Sequence, residues 1–325
     1  MSPWRGRRVL VTGATGLVGG WLTRDLLAKG CDTVVALARD WDPQSELIRS
    51  GDVNRVTVVN GAVEDLGTVT RALNHHACDT VFHLAAQTQV RAAHRDPYET
   101  FESNVRGTYT LLEACRRLGS QVERIVVASS DKAYGDAAEL PYTEATRLDA
   151  RYPYDTSKLC TDYLTRSYVA TYGLPATIAR CGNIYGGGDL NWDRIVPGTI
   201  RWLLAGERPI LRSDGKLTRD YVYVKEVVSA YEALAEHVHR IEVRGEAFNF
   251  SAEKPLSVLE IVAAVTRALG SSLTPDIRNT AVGEIKNQYL DSSRAKQVLG
   301  WRSTWTLEAG LAETVSWYRA FLGAR

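Results

Sequence analysis

Two side chains with a clear chemical use, Tyr154 and Lys158, stand four residues apart where a helix is predicted to begin. This spacing places a phenol and an ammonium on one face of the helix, about one turn apart. Because a nearby ammonium favours phenolate, we expect the pKa of Tyr154 to lie below its usual value of about 10. Such a phenolate can remove a hydroxyl proton while the alcohol is oxidised. A purely structural role for the pair stays open, since the spacing is common.

A second group of reactive side chains follows a buried strand predicted to end at Ala128. Ser129, Ser130, Asp131 and Lys132 bring hydroxyl, carboxylate and ammonium groups together. Ligands bind at the carboxyl ends of strands in open parallel sheets. Ser130 could therefore hydrogen-bond a reacting hydroxyl, and Asp131 and Lys132 could supply an acid and a base to the same substrate. A turn or a helix cap is the structural alternative for the two serines and the aspartate.

A glycine-rich turn joins the first predicted strand to the first predicted helix, and it reads Gly13-Ala14-Thr15-Gly16-Leu17-Val18-Gly19. Glycine at these places lets the backbone turn tightly, approach a pyrophosphate and pack the helix against the strand. The strand, the turn and the helix occur together, so the pattern predicts a dinucleotide site rather than a plain turn. The positive ring of a nicotinamide dinucleotide would add to the ammonium that favours the Tyr154 phenolate.

Two charged residues at the end of the second predicted strand leave the phosphate status of the cofactor open. Asp40 stands where an acid takes the ribose hydroxyls of NAD, and Arg39 beside it could pair with the additional phosphate of NADP. NAD is favoured, and NADP remains an alternative. Two solvated charges at a strand end are the structural reading of the same residues.

Short β-branched runs alternate with amphipathic segments through the first half of the chain, which is the pattern of βαβ units in a parallel sheet. Strands are predicted at residues 9–12, 33–38, 56–60, 80–84, 124–128 and 176–180. Helices are predicted at residues 17–28, 66–74, 102–118 and 156–172. Six such strands favour a doubly wound Rossmann sheet of the α/β class.

The regular alternation weakens after about residue 182, where a glycine-rich loop at 186–188 begins a different region. We predict a Rossmann domain over residues 1–181 and a smaller α/β lobe, mainly substrate-binding, over residues 182–325. Helices of this lobe are predicted at 194–204, 224–237, 256–269 and 307–322. A strand near 247–250 is expected to return to the large sheet.

Composition excludes several other classes of protein. With 325 residues, 45% of them apolar and 24% charged, the chain is that of an ordinary globular protein. A net charge of +1 gives no field that would attract nucleic acid or a membrane, so neither is expected as a partner. Five cysteines without a CxxC pair, and no predicted targeting segment or membrane span, favour a cytoplasmic protein. The six histidines show no metal-binding spacing, and His83 is interpreted as a packed residue.

Longer runs of sequence resemble the sugar-nucleotide epimerase and dehydratase group of the extended short-chain dehydrogenases/reductases. The resemblance covers almost the whole chain and is strongest to the CDP-glucose 4,6-dehydratase branch. It rests on GLVGGWL at 16–22, VFHLAAQ at 81–87, DPYETFESNV at 96–105 and GNIYGGGD at 182–189. Runs of this length are far more specific than a motif of three residues.

The resemblance implies a reaction for the two groups of reactive side chains. Ser130, Tyr154 and Lys158 would form the triad that oxidises a sugar at C4. Asp131 and Lys132 would then protonate the departing C6 hydroxyl and remove the C5 proton, with the two roles open to exchange. The C4 ketone acidifies the C5 proton, and the hydride held on the cofactor returns to C6. Because simple 4-epimerases have small uncharged residues at these two positions, the pair favours a nucleotide-sugar 4,6-dehydratase.

The resemblance also implies which residues contact each ligand. The cofactor site would consist of Gly13, Thr15, Gly16, Leu17, Val18, Gly19, Arg39, Asp40, Val63, Leu84, Ala85, Ala86, Asn104, Tyr154 and Lys158. The nucleotide sugar would contact Gln87, Ser130, Asn183, Arg194 and Arg219. In this set Val63 covers the adenine ring, Asn104 orders the site, and arginine suits the diphosphate because its planar fork donates paired hydrogen bonds. Members of the group form dimers through helices near 102–118 and 156–172, so a homodimer is implied.

Two departures from the group's pattern keep other functions open. Ala62 stands where many members have an acid near the adenine, which puts cofactor affinity and selectivity in doubt. The run TRDYVYV at 218–224 resembles 4-epimerases more than the CDP-glucose branch. A nucleotide-sugar 4-epimerase is therefore the first alternative, with Asp131 and Lys132 only binding substrate. A non-catalytic NAD(P)-binding scaffold is the second, and it is disfavoured because the triad is intact. Fold alone does not separate these functions.

Overall fold

The structure is a computed structural model that describes residues 2–280 and 285–323. Its strands are β1 Arg8–Thr12, β2 Thr33–Ala38, β3 Thr57–Asn60, β4 Thr80–His83, β5 Arg124–Ala128, β6 Ala176–Cys181, β7 Asn183–Tyr185, β8 Ile210–Leu211, β9 Thr218–Arg219, β10 Tyr221–Tyr223, β11 Ala247–Phe250, β12 Leu256–Ser257, β13 Asp276–Ile277 and β14 Asn287–Gln288. Its helices are α1 Leu17–Ala28, α2 Glu46–Arg49, α3 Leu66–His75, α4 Val90–Arg95, α5 Pro97–Phe101, α6 Gly107–Leu118, α7 Pro153–Tyr172, α8 Ile195–Leu204, α9 Val224–His237, α10 Val258–Leu269 and α11 Leu307–Leu322.

The large sheet of the described residues contains seven parallel strands in the order β11-β6-β5-β4-β1-β2-β3. From β1 the chain builds outward through β2 and β3, and from β4 it builds outward on the other side. This reversal between two neighbouring strands opens a crevice at their carboxyl ends, where ligands bind in such sheets. Gly13 follows β1 and Leu84 follows β4, so the glycine-rich turn lies at this crevice.

Apolar side chains on both faces of the sheet form two separate cores. Along β1, Val9 and Val11 point into one cluster and Leu10 into the other, as expected for a strand whose side chains alternate between faces. Helices α1 and α9 cover the first face, and α3 and α6 cover the second. Each fully buried Val or Leu contributes about 1.5–3 kcal/mol relative to an exposed one, so both faces stabilise the sheet that positions the strand ends.

The C-terminal lobe has a third apolar cluster, to which α8, α10 and α11 contribute. Its short strands pair as β7 with β10, β8 with β13, and β9 between β12 and β14. Trp21 of α1 ties this lobe to the Rossmann part by donating to the carbonyl of Gly187 at 2.7 Å. Strand β11 returns to the large sheet and pairs with β6, from Ala247 opposite Ile178 to Phe250 opposite Cys181.

Several elements differ from the sequence-based expectations. Helix α7 begins at Pro153, three residues before the predicted start, because proline is favoured in the first turn of a helix. The helix predicted over 102–118 is interrupted by a π-helical turn over Glu102–Arg106. Helices α2, α4 and α5 are too short for a periodic pattern and were not predicted. The division of the chain at residue 181 stays a prediction.

Candidate active site

Tyr154 and Ser130 are brought together by helix α7 and a short 3₁₀ turn over Asp131–Tyr134, which pack against each other. The Ser130 hydroxyl lies close enough to the Tyr154 phenol to act against the rise of its pKa. The same oxygen accepts the backbone N–H of Lys132 at 3.2 Å, so Ser130 also caps the turn. Ser130 therefore both caps the turn and lies beside Tyr154, two roles that were expected to be alternatives.

Lys158 lies one turn farther along α7 and is 5% exposed. Its Nζ donates to the carbonyl of Ala128, the last residue of β5, at 2.8 Å. Burial lowers the pKa of Lys158 to about 8, while the nearby Asp162 carboxylate acts in the opposite direction. The ammonium is thus held at the carboxyl end of the sheet, close to the switch point.

The lowering of the Tyr154 pKa was expected from the ammonium and a nicotinamide ring together, and the polypeptide without cofactor does not show it. Burial raises the pKa of Tyr154 to about 12, and the charges of Asp131 and Asp155 raise it further. Arg194 and the Ser130 hydroxyl oppose this rise without overcoming it. The phenol is therefore neutral at physiological pH until another positive charge approaches, since desolvation penalises the phenolate.

Asp131 and Lys132 are held together by a glutamine from the other lobe. Asp131 is 2% exposed and accepts a hydrogen bond from the Ser130 hydroxyl at 3.0 Å. The Lys132 ammonium donates to Oε1 of Gln288, and Nε2 of Gln288 donates to the Asp131 carbonyl at 3.0 Å. Gln288 is fully buried in β14. Sequence reasoning missed it because a lone glutamine carries no motif.

Asp155 is a second acidic residue that sequence reasoning missed. It follows Tyr154 in the first turn of α7 and is 4% exposed. Burial raises the pKa of Asp155 to about 6, and the Asp131 charge acts in the same direction, while Lys132 and His94 oppose it. Its position directly after Tyr154 was the available signal, but an acid in a first helical turn is ordinarily explained by the helix dipole.

Asn104 orders the loop that follows β4. Its Oδ1 accepts the backbone N–H of Gln87 at 2.7 Å, and its Nδ2 donates to the Gln87 carbonyl at 3.0 Å. Nδ2 also donates to the Ser157 hydroxyl of α7 at 2.8 Å. Asn104 is 1% exposed, so these bonds fix the Gln87 backbone relative to the helix that carries Tyr154.

The glycine-rich turn has the shape of a cradle for a pyrophosphate. Gly13 has a φ of +72°, and a Cβ at this residue would lie 2.9 Å from the backbone nitrogen of Ala85. A Cβ on Gly19 would lie 2.1 Å from the carbonyl oxygen of Gly13. Gly16 precedes α1, no side chain caps this helix, and its first turn contains no acid. The N–H groups of that turn are thus directed at any bound anion, so the residues fit a dinucleotide.

The remaining residues of the turn and the strand ends support this cradle. Leu17 and Val18 are partly buried against the apolar clusters. The backbone N–H groups of Leu84 and Ala85 donate to the Thr12 hydroxyl at 3.0 and 3.1 Å, which holds the end of β4 against β1. Thr15 and Ala86 are partly buried at the same edge of the sheet.

Arg39 is surrounded by carboxylates. Its guanidinium donates to Asp40 at 2.8 Å and to Glu99 at 2.8 Å, and it lies 3.9 Å from Glu64. The Asp40 side chain is 80% exposed, so it can turn toward a ribose without losing a buried partner. An additional phosphate at this place would meet three carboxylates, which disfavours NADP.

Two side chains of the predicted set lie mainly in the core. Val63 is 6% exposed, and its Cγ1 would lie 2.6 Å from a Cβ on Gly107. Little of Val63 is left to cover an adenine. His83 is buried between the hydroxyls of Thr12 at 2.9 Å and Thr108 at 3.2 Å, and burial lowers its pKa to about 3. His83 is therefore a neutral packed residue, as predicted.

The predicted substrate residues of the C-terminal lobe lie in different surroundings. Arg194 donates to Asp189 at 3.0 Å and to Thr88 at 3.3 Å, and its charge acts on Tyr154. Asn183 is partly buried in β7. Arg219 is 8% exposed and donates to the carbonyls of Thr218 at 2.8 Å, Ile285 at 2.7 Å and Lys286 at 3.2 Å.

A cleft of about 590 Å³ is lined mainly by residues of the C-terminal lobe, together with Gln89 and Arg91. Its lining combines two indole rings with several guanidinium groups, namely Trp192, Trp202, Arg201, Arg212 and Arg278. The Arg201 guanidinium lies 5.1 Å from the centre of the Trp192 ring. Aromatic faces together with arginines suit a base and a diphosphate. None of these five residues was predicted from the sequence.

Two other observations concern the parts of the chain that the structure describes. Within residues 2–280 and 285–323, no group of three or more His, Cys, Asp or Glu side chains could hold a metal ion. Over the same residues, no helix combines the length and the apolar character that crossing a membrane requires.

Comparison with known proteins identifies the family. A family profile described as GDP-mannose 4,6 dehydratase matches residues 10–314. The chain belongs to this GDP-mannose 4,6-dehydratase family. A CDP-glucose 4,6-dehydratase of Salmonella typhimurium is 30% identical over 336 residues, which cover 98% of this chain and 92% of that protein. The resemblance predicted from the sequence is confirmed.

Solved structures similar to this family member confirm the predicted doubly wound α/β fold. A dTDP-glucose 4,6-dehydratase from Streptomyces venezuelae, solved with NAD bound, has a TM-score of 0.87 and 28% identity, covering 97% of this chain and 98% of that one. A UDP-glucose 4-epimerase from Thermotoga maritima has a TM-score of 0.88 and 27% identity, covering 97% and 99%. These relatives are a 4,6-dehydratase and a 4-epimerase, the two enzyme activities that the sequence leaves open.

Proposed function

We propose that this chain is an NAD-dependent nucleotide-sugar 4,6-dehydratase, which converts an NDP-hexose to the NDP-4-keto-6-deoxyhexose. One arrangement carries the proposal. Tyr154 and Ser130, which suit the oxidation of an alcohol, lie beside the buried Asp131 and its neighbour Lys132, which suit an elimination. Family membership and the 30% identity to a CDP-glucose 4,6-dehydratase support it.

NAD is the cofactor that fits these residues. The glycine-rich turn and the start of α1 would hold its pyrophosphate, and Asp40 would take the adenosine ribose. The carboxylates around Arg39 act against the additional phosphate of NADP. The similar dTDP-glucose 4,6-dehydratase contains NAD. When bound, NAD supplies the hydride acceptor for C4 and the hydride donor for C6.

In the oxidation, Tyr154 removes the proton of the C4 hydroxyl and Ser130 orients that hydroxyl through a hydrogen bond. Because burial raises the pKa of Tyr154 to about 12, the phenolate is stable only next to a positive charge. Tyr154 therefore becomes an effective base in the complex with the oxidised cofactor, whose ring is positively charged. Lys158, held on the Ala128 carbonyl, adds its charge at the same strand end.

In the elimination, Asp131 protonates the C6 hydroxyl as it departs, and Lys132, acting as a neutral amine, removes the C5 proton acidified by the C4 ketone. A double bond forms between C5 and C6, and water leaves. Lys132 then returns its proton to C5. Gln288 keeps the Lys132 side chain and the Asp131 backbone in register during these steps, because its amide contacts both.

The nucleotide of the substrate would lie in the cleft of the C-terminal lobe. Trp192 and Trp202 offer apolar faces to a base, and Arg201, Arg212 and Arg278 offer charge-assisted hydrogen bonds to the diphosphate. Arg194 follows Asp193 of the cleft lining in the sequence, and its charge acts on the Tyr154 phenol. Much of the donor capacity of Arg219 is directed at backbone carbonyls of its own lobe instead.

A nucleotide-sugar 4-epimerase is the second candidate. The UDP-glucose 4-epimerase with a TM-score of 0.88 favours it, and so does the run at 218–224. In that reaction Asp131 and Lys132 would only bind the sugar. The product would be inverted at C4 and would keep its C6 hydroxyl.

A panel of nucleotide hexoses tests these two functions. Purified protein is incubated with CDP-, dTDP-, UDP- and GDP-glucose and with GDP-mannose, and the products are analysed by mass spectrometry. Loss of one water with formation of a 4-keto-6-deoxy sugar is the expected result. A product of unchanged mass that is inverted at C4 would select the epimerase. Binding without turnover of any substrate would favour the non-catalytic scaffold.

We also propose a homodimer through α6 and α7. Three aromatic side chains on these helices are exposed, with Tyr109 at 41%, Tyr163 at 53% and Tyr172 at 55%. Exposed aromatic groups on two helices that pack together are typical of an interface. Light scattering should give twice the chain mass, and Tyr163→Lys should reduce it to one chain mass. A monomeric wild type would contradict the proposal.

The cysteines support a cytoplasmic location. All five cysteines are unpaired, and burial raises the pKa of the Cys78 thiol to about 12. Thiols kept in this state fit a reducing compartment. Fractionation of cells that produce the protein, with detection in the cytoplasmic fraction, tests the location.

A further inference from the structure

Asp193 is an acid in a cleft that is otherwise rich in guanidinium groups. Among the described residues that line the cleft it is the only Asp or Glu, whereas four of them are arginines, Arg91, Arg201, Arg212 and Arg278. The mechanism above gives Asp193 no role. A carboxylate also repels a diphosphate, so its presence at the proposed phosphate site needs an explanation.

The Asp193 carboxylate holds two of these arginines, which come from different parts of the fold. Its Oδ1 accepts a hydrogen bond from Nη1 of Arg91 at 3.4 Å and from Nη2 of Arg212 at 3.2 Å. Arg91 belongs to α4, which follows β4 of the large sheet, and Arg212 follows β8 of the C-terminal lobe. One carboxylate oxygen thus joins two guanidinium groups of the cleft lining.

These ion pairs can exchange their partners without leaving a charge buried. The side chains of Arg91, Asp193 and Arg212 are 70%, 50% and 45% exposed. Ion pairs between exposed side chains stabilise a protein only weakly. Both N–O distances are also longer than the roughly 2.7–2.9 Å of a strong charge-assisted hydrogen bond. An anion that offers more oxygens to the two arginines can therefore replace the carboxylate.

The backbone around Asp193 is ordered by bonds that do not involve its carboxylate. Its N–H donates to Oδ1 of Asn191 at 3.2 Å, and the N–H of Asn191 donates to Oδ1 of Asp189 at 3.1 Å. Asp189 is 3% exposed, and its Oδ2 accepts a hydrogen bond from Arg194 at 3.0 Å. Release of the two arginines therefore requires only rotation of the Asp193 side chain.

We propose that Asp193 is an internal competitor of the substrate diphosphate for Arg91 and Arg212. Its carboxylate orients the two guanidinium groups before the nucleotide binds. The diphosphate then takes both, because it brings two charges and several oxygens in the geometry that guanidinium prefers. A ligand without phosphate gains nothing from this exchange, so Asp193 is a specificity-determining residue. The inference rests on the proposed function, in which this cleft binds the nucleotide.

Calorimetry of nucleoside diphosphate binding to wild type, D193N and D193S, each saturated with NAD, tests the proposal. CDP, dTDP, UDP and GDP are compared, and the one that the wild type binds most tightly is the probe. Removal of the competitor should lower the Kd of this diphosphate about three- to tenfold at low salt. The difference should shrink at high salt, which screens exposed charges. D193E keeps a carboxylate and should stay close to the wild-type Kd.

Two controls separate competition from a change in the shape of the cleft. The nucleoside of the same base lacks the phosphates, so its Kd should change less than about twofold in D193N. Asp149 forms a comparable exposed pair with Arg151 at 2.9 Å, but neither residue lines the cleft. D149N should therefore leave the Kd of the diphosphate at the wild-type value.

A double-mutant cycle tests whether Asp193 acts through the two arginines. R91Q/R212Q should weaken diphosphate binding about tenfold or more. In that background D193N should change the Kd less than about twofold, because the groups for which it competes are absent.

Three results would contradict these expectations. An unchanged diphosphate Kd in D193N and D193S would overturn the inference, and so would a raised Kd, which would mean that the carboxylate binds the nucleotide directly. Unchanged binding in R91Q/R212Q would overturn it as well, because the two arginines would not contact the diphosphate. A wild type that binds none of the four diphosphates would instead overturn the proposed function.

Discussion

The buried ion pair between Asp162 and Arg180 offers a stability prediction that follows directly from its contacts. Arg180 is 1% exposed and Asp162 is fully buried. Arg180 Nε donates to Asp162 at 2.7 Å, and Nη1 donates to the Tyr134 hydroxyl at 2.7 Å. Asp162 lies one helical turn beyond Lys158 in α7, and Tyr134 ends the turn that carries Asp131, so the pair joins the two halves of the site.

Asp162→Ala should lower the free energy of unfolding by about 3 kcal/mol, the lower end of the range for breaking a buried pair. The lower end applies for two reasons. Arg180 keeps its bond to Tyr134 and its place 4.8 Å from the centre of that ring. In addition, Oδ1 of Asp162 has no hydrogen-bond partner in the described structure, so the charge of this carboxylate is only partly compensated in the wild type.

Urea unfolding under reducing conditions, followed by tryptophan fluorescence and circular dichroism, measures this loss. Asp149→Ala is the control, because Asp149 pairs with Arg151 at 2.9 Å on the surface, where the side chains are 53% and 79% exposed. That variant should lose less than about 1 kcal/mol. The double variant D162L/R180M should recover most of the loss, since no unpaired charge is left buried. Equal losses in D162A and D149A would refute the reasoning.

Three further predictions concern the site. Tyr154→Phe should lower turnover by about two to four orders of magnitude, while nucleotide binding measured by calorimetry stays nearly unchanged. Unchanged turnover would remove the phenol from the mechanism. Glu99→Gln should strengthen NADP binding relative to NAD by about three- to tenfold, because one of the carboxylates on Arg39 is neutralised. Fluorescence titration with both cofactors measures the ratio of the two affinities, and an unchanged ratio would contradict the prediction. Gln288→Leu should slow water loss about tenfold or more, because Lys132 loses its amide partner, and it should leave NAD reduction by a 6-deoxy substrate intact. Equal loss of both steps would mean that the substitution disrupts the whole site.

The features predicted correctly from the sequence are those that neighbouring residues determine. The alternation of strands and helices gave the doubly wound sheet, because the period of apolar residues depends on local backbone geometry. The glycine-rich turn and the end of β1 lie within seven residues of each other, so their joint shape is visible in the sequence. His83 could likewise be interpreted as a packed residue from its apolar strand.

Several contacts between distant parts of the chain were not predicted, because no local pattern marks them. Gln288 reaches Lys132 across 156 positions of sequence. Glu99 meets Arg39 only because α5 packs near the end of β2. Val63 was assigned to the adenine but is committed to the core by its contact with Gly107.

The ionisation of the site residues shows most clearly which properties the sequence determines and which depend on the tertiary structure. The sequence by itself determined that a phenol and an ammonium lie on one face of α7, because a helix fixes the spacing of its own residues. Whether that phenol is ionised was decided only by the tertiary structure. Desolvation depends on every element packed around a group, and in this protein it raises the pKa of Tyr154 to about 12, an effect that the spacing of the phenol and the ammonium does not reveal.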